Sequence, residues 1–141
     1  METCFRTACD EFDLEFLRGD TKEDKEIVIH VVLFGKAGKI VTRSGAKNGD
    51  VIITTGPFGY TSSALQILLK KKKSTKKFSN IAKTKFFHPI PRLKFGIACK
   101  NLLSSSIDSS DGLSSCLQEL SASSKKRFVI TKFPVKDDVK D

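Results

Sequence analysis

The sequence predicts an α/β chain with a mixed, α+β sheet, on three observations. Glu26 to Phe34 has the strongest strand pattern in the chain, with Ile27, Ile29, Val31 and Leu33 on one face. Val51 to Thr55 is a second, short β-branched run. A glycine turn and an amphipathic helix pattern follow that run, and strand–turn–helix alternation belongs to α/β architectures.

In chain order, residues 2–16 read as the end of a helix followed by a short strand, with Phe12, Leu14 and Phe16 alternating. Arg18 to Asp24 is a polar loop. The other face of the Glu26–Phe34 strand carries Val28, His30, Val32 and Phe34, so both faces are apolar enough to be covered. Gly35 to Lys39 is a turn, and Ile40 to Thr42 extends again. After the polar stretch Ser44–Asp50 and the strand Val51–Thr55, Gly56-Pro57-Phe58-Gly59 turns the chain. Thr61 or Ser62 then caps a helix from Ser63 to about Lys73, with Ala64, Leu65, Leu68 and Leu69 as its apolar stripe. The lysines of residues 70–77 read as a helix end frayed into a solvated loop, where cations suit the dipole. Pro89 and Pro91 break the chain before a helix from Leu93 to about Leu103. Ser110 or Asp111 caps a helix from Gly112 to about Ser121, and Phe128–Phe133 forms a last strand closed by Pro134. The serine clusters 104–106 and 121–124 read as loops.

Composition narrows the classes. A chain of 141 residues is the length of one domain. No apolar run approaches the ~20 residues of a membrane-spanning helix, and the first residues carry no secretion pattern, so the expectation is a soluble, cytoplasmic protein. Cys4, Cys9, Cys99 and Cys116 have no CxxC spacing, and free thiols are expected. The net charge of +9 is uneven: residues 1–35 carry 4 basic and 9 acidic side chains, residues 36–141 carry 21 and 7. Such a surface attracts phosphates.

The chemistry centres on Ile107-Asp108-Ser109-Ser110-Asp111-Gly112-Leu113. Two carboxylates three residues apart at a helix mouth suit a hard divalent cation that shares its shell with phosphate oxygens. The alternative is an Asp/Ser helix cap without metal. Two further elements fit a phosphate site: Gly19-Asp20-Thr21, a glycine beside a carboxylate, and Arg43, a guanidinium for non-bridging oxygens. Read singly, the first is an ordinary turn and the second a surface arginine. Gly56–Gly59 lacks the GxxxxGK[ST] pattern and reads as a turn into a helix. His30 reads as a core histidine, no Ser/His/Asp set can be assembled, and no catalytic residue is assigned.

Five pieces in order, Gly19-Asp20-Thr21, Arg43-Ser44-Gly45-Ala46-Lys47-Asn48-Gly49-Asp50, Thr55-Gly56-Pro57-Phe58-Gly59, Pro89-Ile90-Pro91-Arg92-Leu93 and Asp108-Ser109-Ser110-Asp111-Gly112-Leu113, resemble the thiamine-monophosphate kinases. These belong to the aminoimidazole-ribonucleotide-synthetase-like ATP-binding superfamily. The resemblance implies transfer of the γ-phosphoryl group of ATP to thiamine monophosphate, giving thiamine diphosphate by direct in-line attack. It implies Asp20, Asp108 and Asp111 as Mg²⁺ ligands, and Gly19, Asp20, Arg43 and Ser110 as ATP contacts. Arg18 departs from the family pattern where a second glycine is usual, and Ser109 replaces an apolar residue. It further implies a central piece of that fold, with residues 1–38 ending the N-terminal ATP-binding domain and 39–141 forming part of the C-terminal α/β domain. A chain of that extent is expected to show weak or no activity alone, and to form a homodimer or self-associate through exposed sheet. Two alternatives stay open. One is another ATP-dependent member of the superfamily, a selenophosphate- or aminoimidazole-ribonucleotide-synthetase relative. The other is a basic nucleic-acid-binding module using the lysines of residues 70–77 and Lys125–Arg127, although no aromatic sits within the first run to stack on bases.

Overall fold

The computed structural model describes residues 2–139. Its elements are five helices, α1 (Glu2–Glu11), α2 (Tyr60–Lys70), α3 (Lys76–Phe87), α4 (Leu93–Cys99) and α5 (Leu113–Ser124), and a terminal 3₁₀ turn at Asp137–Val139. The chain divides into two compact units, residues 1–36 and 37–141.

The expected mixed sheet does not form, which corrects the α/β assignment. Among the described residues the sole strand-type pairing is an isolated parallel bridge between Phe58 and Val135. The segments 26–34, 51–55 and 128–133 follow irregular paths without ladder partners. A strand is stable only when a neighbour about 4.8 Å away takes up its N–H and C=O groups, and none of the three is paired in a ladder. Burial fails with it: Phe34 is 85% exposed and Ile27 83%, so neither face of the expected strand is covered. His30 is likewise exposed. The self-association expected through a sheet therefore has no sheet to run through.

In the first unit, α1 closes through Asp13, which takes a left-handed conformation at φ 55°. The Leu14 N–H then reaches back to the Cys9 carbonyl at 2.8 Å. Aspartate tolerates this region better than most residues. The Arg6 guanidinium lies 4.6 Å from the centroid of the Phe16 ring, a cation–π contact that ties the following segment to α1. The short strand expected around Phe12–Phe16 is absent.

The second unit is built on α2 packed against α3. Tyr60, Ala64 and Ala82 are buried, flanked by Phe78, Ile81, Phe86 and Val139. Helix α2 starts three residues earlier than the pattern suggested because Gly59, at φ 110°, turns the chain directly into it. A Cβ at Gly59 would stand 2.3 Å from the Val139 Cγ1, so the position needs both the conformation and the space of glycine. The Tyr60 hydroxyl donates to both carboxylate oxygens of Asp138 at 2.9 and 3.1 Å. That hydrogen bond, then burial and the carboxylate charge, hold the phenol above its usual pKa.

Helix α3 is new relative to the sequence reading. Thr75 is its N-cap, its Oγ1 accepting from the Phe78 N–H at 3.2 Å. The lysine run is thus split: Lys70 ends α2, Lys71 caps it in a left-handed conformation, and Lys76 and Lys77 open α3. Helix α4 stops at Cys99, four residues short of expectation, and buries none of its residues. Helix α5 runs on to Ser124 and buries Cys116. All four cysteines are free, as expected.

Candidate functional site

Helix α5 is entered through its N-cap, Gly112, which adopts φ 89° and ψ 173° and offers no side-chain cap. The expected Ser110 or Asp111 cap is therefore not made. The hydroxyl and carboxylates of the Asp-Ser-Ser-Asp motif are not consumed in closing the helix. The motif is instead anchored through its main chain. Cys116 Sγ donates to the Asp108 carbonyl at 3.4 Å, and Ser115 Oγ to the Asp111 carbonyl at 3.3 Å.

Arg43 arrives beside this helix from a distant segment. The link is a set of serines. Ser124 Oγ donates to the Arg43 carbonyl at 3.0 Å and accepts from the Gly45 and Ala46 N–H groups at 3.2 Å each. The Ser106 N–H donates to the Thr42 carbonyl at 3.0 Å. Ser104 Oγ donates to the Asp50 carboxylate, which also accepts from the Lys47 N–H at 2.7 Å and closes a tight turn in which Gly49 takes φ 90°. The two serine clusters that read as plain loops are thus what seats the Arg43–Asp50 segment.

Asp50 has its carboxyl held below the usual carboxylate range, first by the Ser104 hydrogen bond, then by the Lys47 N–H and the Lys47 charge. A depressed native pKa contributes stability above the unfolded value, and that contribution disappears as pH falls through the native one. The stability difference between the wild-type chain and Asp50→Asn should therefore stay constant above about pH 5 and shrink below about pH 4. Urea unfolding across that range measures it, and a difference that stays flat to pH 2.5 would rule out this role of Asp50.

The arrangement forms a cleft of about 190 Å³ that Arg43, Asp108, Ser110, Asp111 and Glu119 share with Ile107, Ser115 and Cys116. Sequence reasoning did not single out Glu119. Its Oε2 lies 3.8 Å from the Arg43 Nη1, in a pair whose side chains are 54% and 60% exposed. Such a pair contributes about 0–1 kcal/mol and is easily exchanged for another anion. Gly19 and Asp20 lie in an irregular, exposed segment of the first unit, and Arg18 beside them is exposed too. A larger and more open hollow of about 680 Å³ along Lys132–Asp138 contains none of the motif residues.

No family model matches the chain. Curated relatives do. A thiamine-monophosphate kinase of Nitrosopumilus maritimus is 51% identical over 97% of this chain. Those of Pyrococcus horikoshii and Escherichia coli K12 are 37% and 34% identical over 93% and 75% of it. The chain is homologous to a stretch of the thiamine-monophosphate kinases. It spans less than half the length of these relatives, 44%, 42% and 33% in the same order. Identity of 51% over nearly the whole chain agrees with the five motif pieces standing in their family order. Among the described residues, no helix is long and apolar enough to cross a membrane.

Proposed function

We propose that this chain supplies part of the nucleotide site of a kinase that phosphorylates thiamine monophosphate from ATP. The observation that carries the reading is the meeting of Arg43, Asp108, Ser110 and Asp111 on one cleft. These are four of the six positions at which the family resemblance implies nucleotide or metal contact, counting Gly19 and Asp20 with them.

The donor set fits a magnesium ion that arrives with its nucleotide. The carboxylates of Asp108 and Asp111 are hard oxygen donors of the kind that would share such an ion with phosphate oxygens. It does not fit an all-protein cage. Among the described residues no group of three or more His, Cys, Asp or Glu could hold a metal. Asp108 and Asp111 would hold the ion at this cleft. When bound, it offsets the charge of the phosphate oxygens that meet in the reaction. Arg43 presents a planar fork of donors to non-bridging oxygens, and the Ser110 hydroxyl donates to a neighbouring one. In the transfer, an oxygen of the acceptor phosphate bonds to the γ-phosphorus as the bond to the β–γ bridging oxygen breaks. Positioning and charge stabilisation do most of this work, so no side-chain nucleophile is required. The cleft that holds the motif residues, about 190 Å³, is small for a reaction that must seat a triphosphate and an acceptor together, which supports weak or no turnover by the chain alone. A cytoplasmic setting fits a reaction that consumes ATP.

Thermal unfolding with Mg²⁺ and a non-hydrolysable ATP analogue tests this reading. Ligand at about 100 times its dissociation constant should add about 2.7 kcal/mol, and EDTA should remove the gain. A shift that ignores EDTA and collapses steeply with salt would instead mark a basic surface binding any polyanion. Brisk formation of thiamine diphosphate by the purified chain would refute the weak-activity part.

A further inference from the structure

Helix α5 holds Arg43 at both ends. Glu119 faces its guanidinium, and Ser124 binds its carbonyl. The Ser124 hydroxyl is fully used: its one proton goes to the Arg43 carbonyl, and its two lone pairs accept the Gly45 and Ala46 N–H groups. Loss of that hydroxyl would strand two partly buried N–H donors and release the main chain next to the cleft. The other side of the segment allows little adjustment. The Ser104 carbonyl lies against Gly45 where a Cβ would be, and the Ser106 N–H fixes Thr42. Of these anchors, Ser124 alone bonds Arg43 itself as well as the residues following it.

We propose that Ser124 is a positioning residue: its hydroxyl sets the direction in which Arg43 enters the cleft, and with it the affinity for the nucleotide phosphates. The phosphate contact of Arg43 rests on the function proposed above, whereas the clasp rests only on the hydrogen bonds. A residue acting through Arg43 makes a signature that plain structural support does not. Its effect on binding must disappear once the guanidinium is gone.

The experiment is a double-mutant cycle on the full chain, with Mg²⁺ and a non-hydrolysable ATP analogue as the probe, read by calorimetry. Ser124→Ala should weaken binding about tenfold, and Ser124→Thr, which keeps the hydroxyl, should restore most of it. In an Arg43→Ala background, Ser124→Ala should cause no further loss. An equal loss in both backgrounds, or no loss in either, overturns the proposal. A second readout needs no nucleotide. The NMR signal of the Arg43 Nε–H group should move on Glu119→Gln in the wild-type chain and stay still when Ser124 is alanine. If the wild-type chain fails to bind the analogue but this NMR coupling holds, the proposed nucleotide function falls and the clasp stands. If the coupling is the same with and without the Ser124 hydroxyl, the clasp falls whatever the nucleotide does.

Discussion

Replacing Asp111 by asparagine should erase the Mg²⁺-dependent part of nucleotide binding while leaving the fold intact. The substitution keeps the shape of the side chain and removes its charge, and charge is what a hard cation requires of a carboxylate. Asp111 is exposed and makes no side-chain cap for α5. Its anchoring contact, from Ser115 Oγ, is to its main-chain carbonyl, which asparagine retains. Stability without ligand should therefore stay within about 0.5 kcal/mol of wild type. Of the two carboxylates proposed to hold the metal, only Asp108 would remain. Affinity for the analogue in the presence of Mg²⁺ should fall by a factor of about 100, to the level the wild-type chain shows in EDTA. Calorimetry on the wild type, Asp111→Asn and Asp10→Asn, a substitution in the first unit, separates a site effect from general loss of negative charge. Equal loss in both variants, or none in Asp111→Asn, would remove Asp111 from the metal site.

Gly45→Ala should be the most damaging single methyl that can be added around the cleft. Its Cβ would stand 2.1 Å from the Ser104 carbonyl oxygen and 3.2 Å from the carbonyl carbon. Both atoms are main chain, so no flexible side-chain end can swing away. The methyl must push the Arg43–Ala46 segment off the 104–106 loop, off Ser124, or both. Overpacking of this kind costs about 1–3 kcal/mol. The cost should appear as a lower urea midpoint with unchanged slope and as loss of the Ser124-dependent affinity. Gly96→Ala in α4 is the matched control, since a Cβ there meets nothing within 4 Å. A helix-interior glycine replaced without a clash should instead stabilise by about 0.5–1 kcal/mol. A Gly45→Ala chain as stable as wild type would show that the close approach to Ser104 is not maintained in solution.

Helix α3 shows a signal that was present in the residues but outweighed. Thr75 followed by Phe78, Ile81, Ala82 and Phe86 is a capped helix with the i, i+3, i+4, i+8 spacing of a buried stripe. The lysines of residues 70–77 suit a solvated loop by charge, yet lysine is a good helix former and its stem tolerates a surface position. Segment 26–34 is the opposite case. The alternation there is strand-like, but alternation reports only how side chains would partition if a partner strand were alongside. Such a partner is a long-range fact that no local pattern contains. The Asp-Ser-Ser-Asp motif lay between these cases. Its residues and their place before a helix were legible, whereas the choice between cap and exposed carboxylates was decided by Gly112 adopting the N-cap position.

The residues by themselves determined the family resemblance, the free state of the cysteines and the existence of α2, α4 and α5, because motif order, thiol spacing and helical periodicity are local properties. Only the tertiary structure decided that the extended segments go unpaired, that α2 and α3 enclose Tyr60 and Ala82, and that Arg43 reaches α5 to meet Glu119 and Ser124. Each of these depends on groups brought together from distant parts of the chain. The serine hydroxyl that seats Arg43 lies 81 residues from it. In sequence a serine near a helix end is a routine polar residue, and only the carbonyl and two N–H groups converging on its oxygen give it a role.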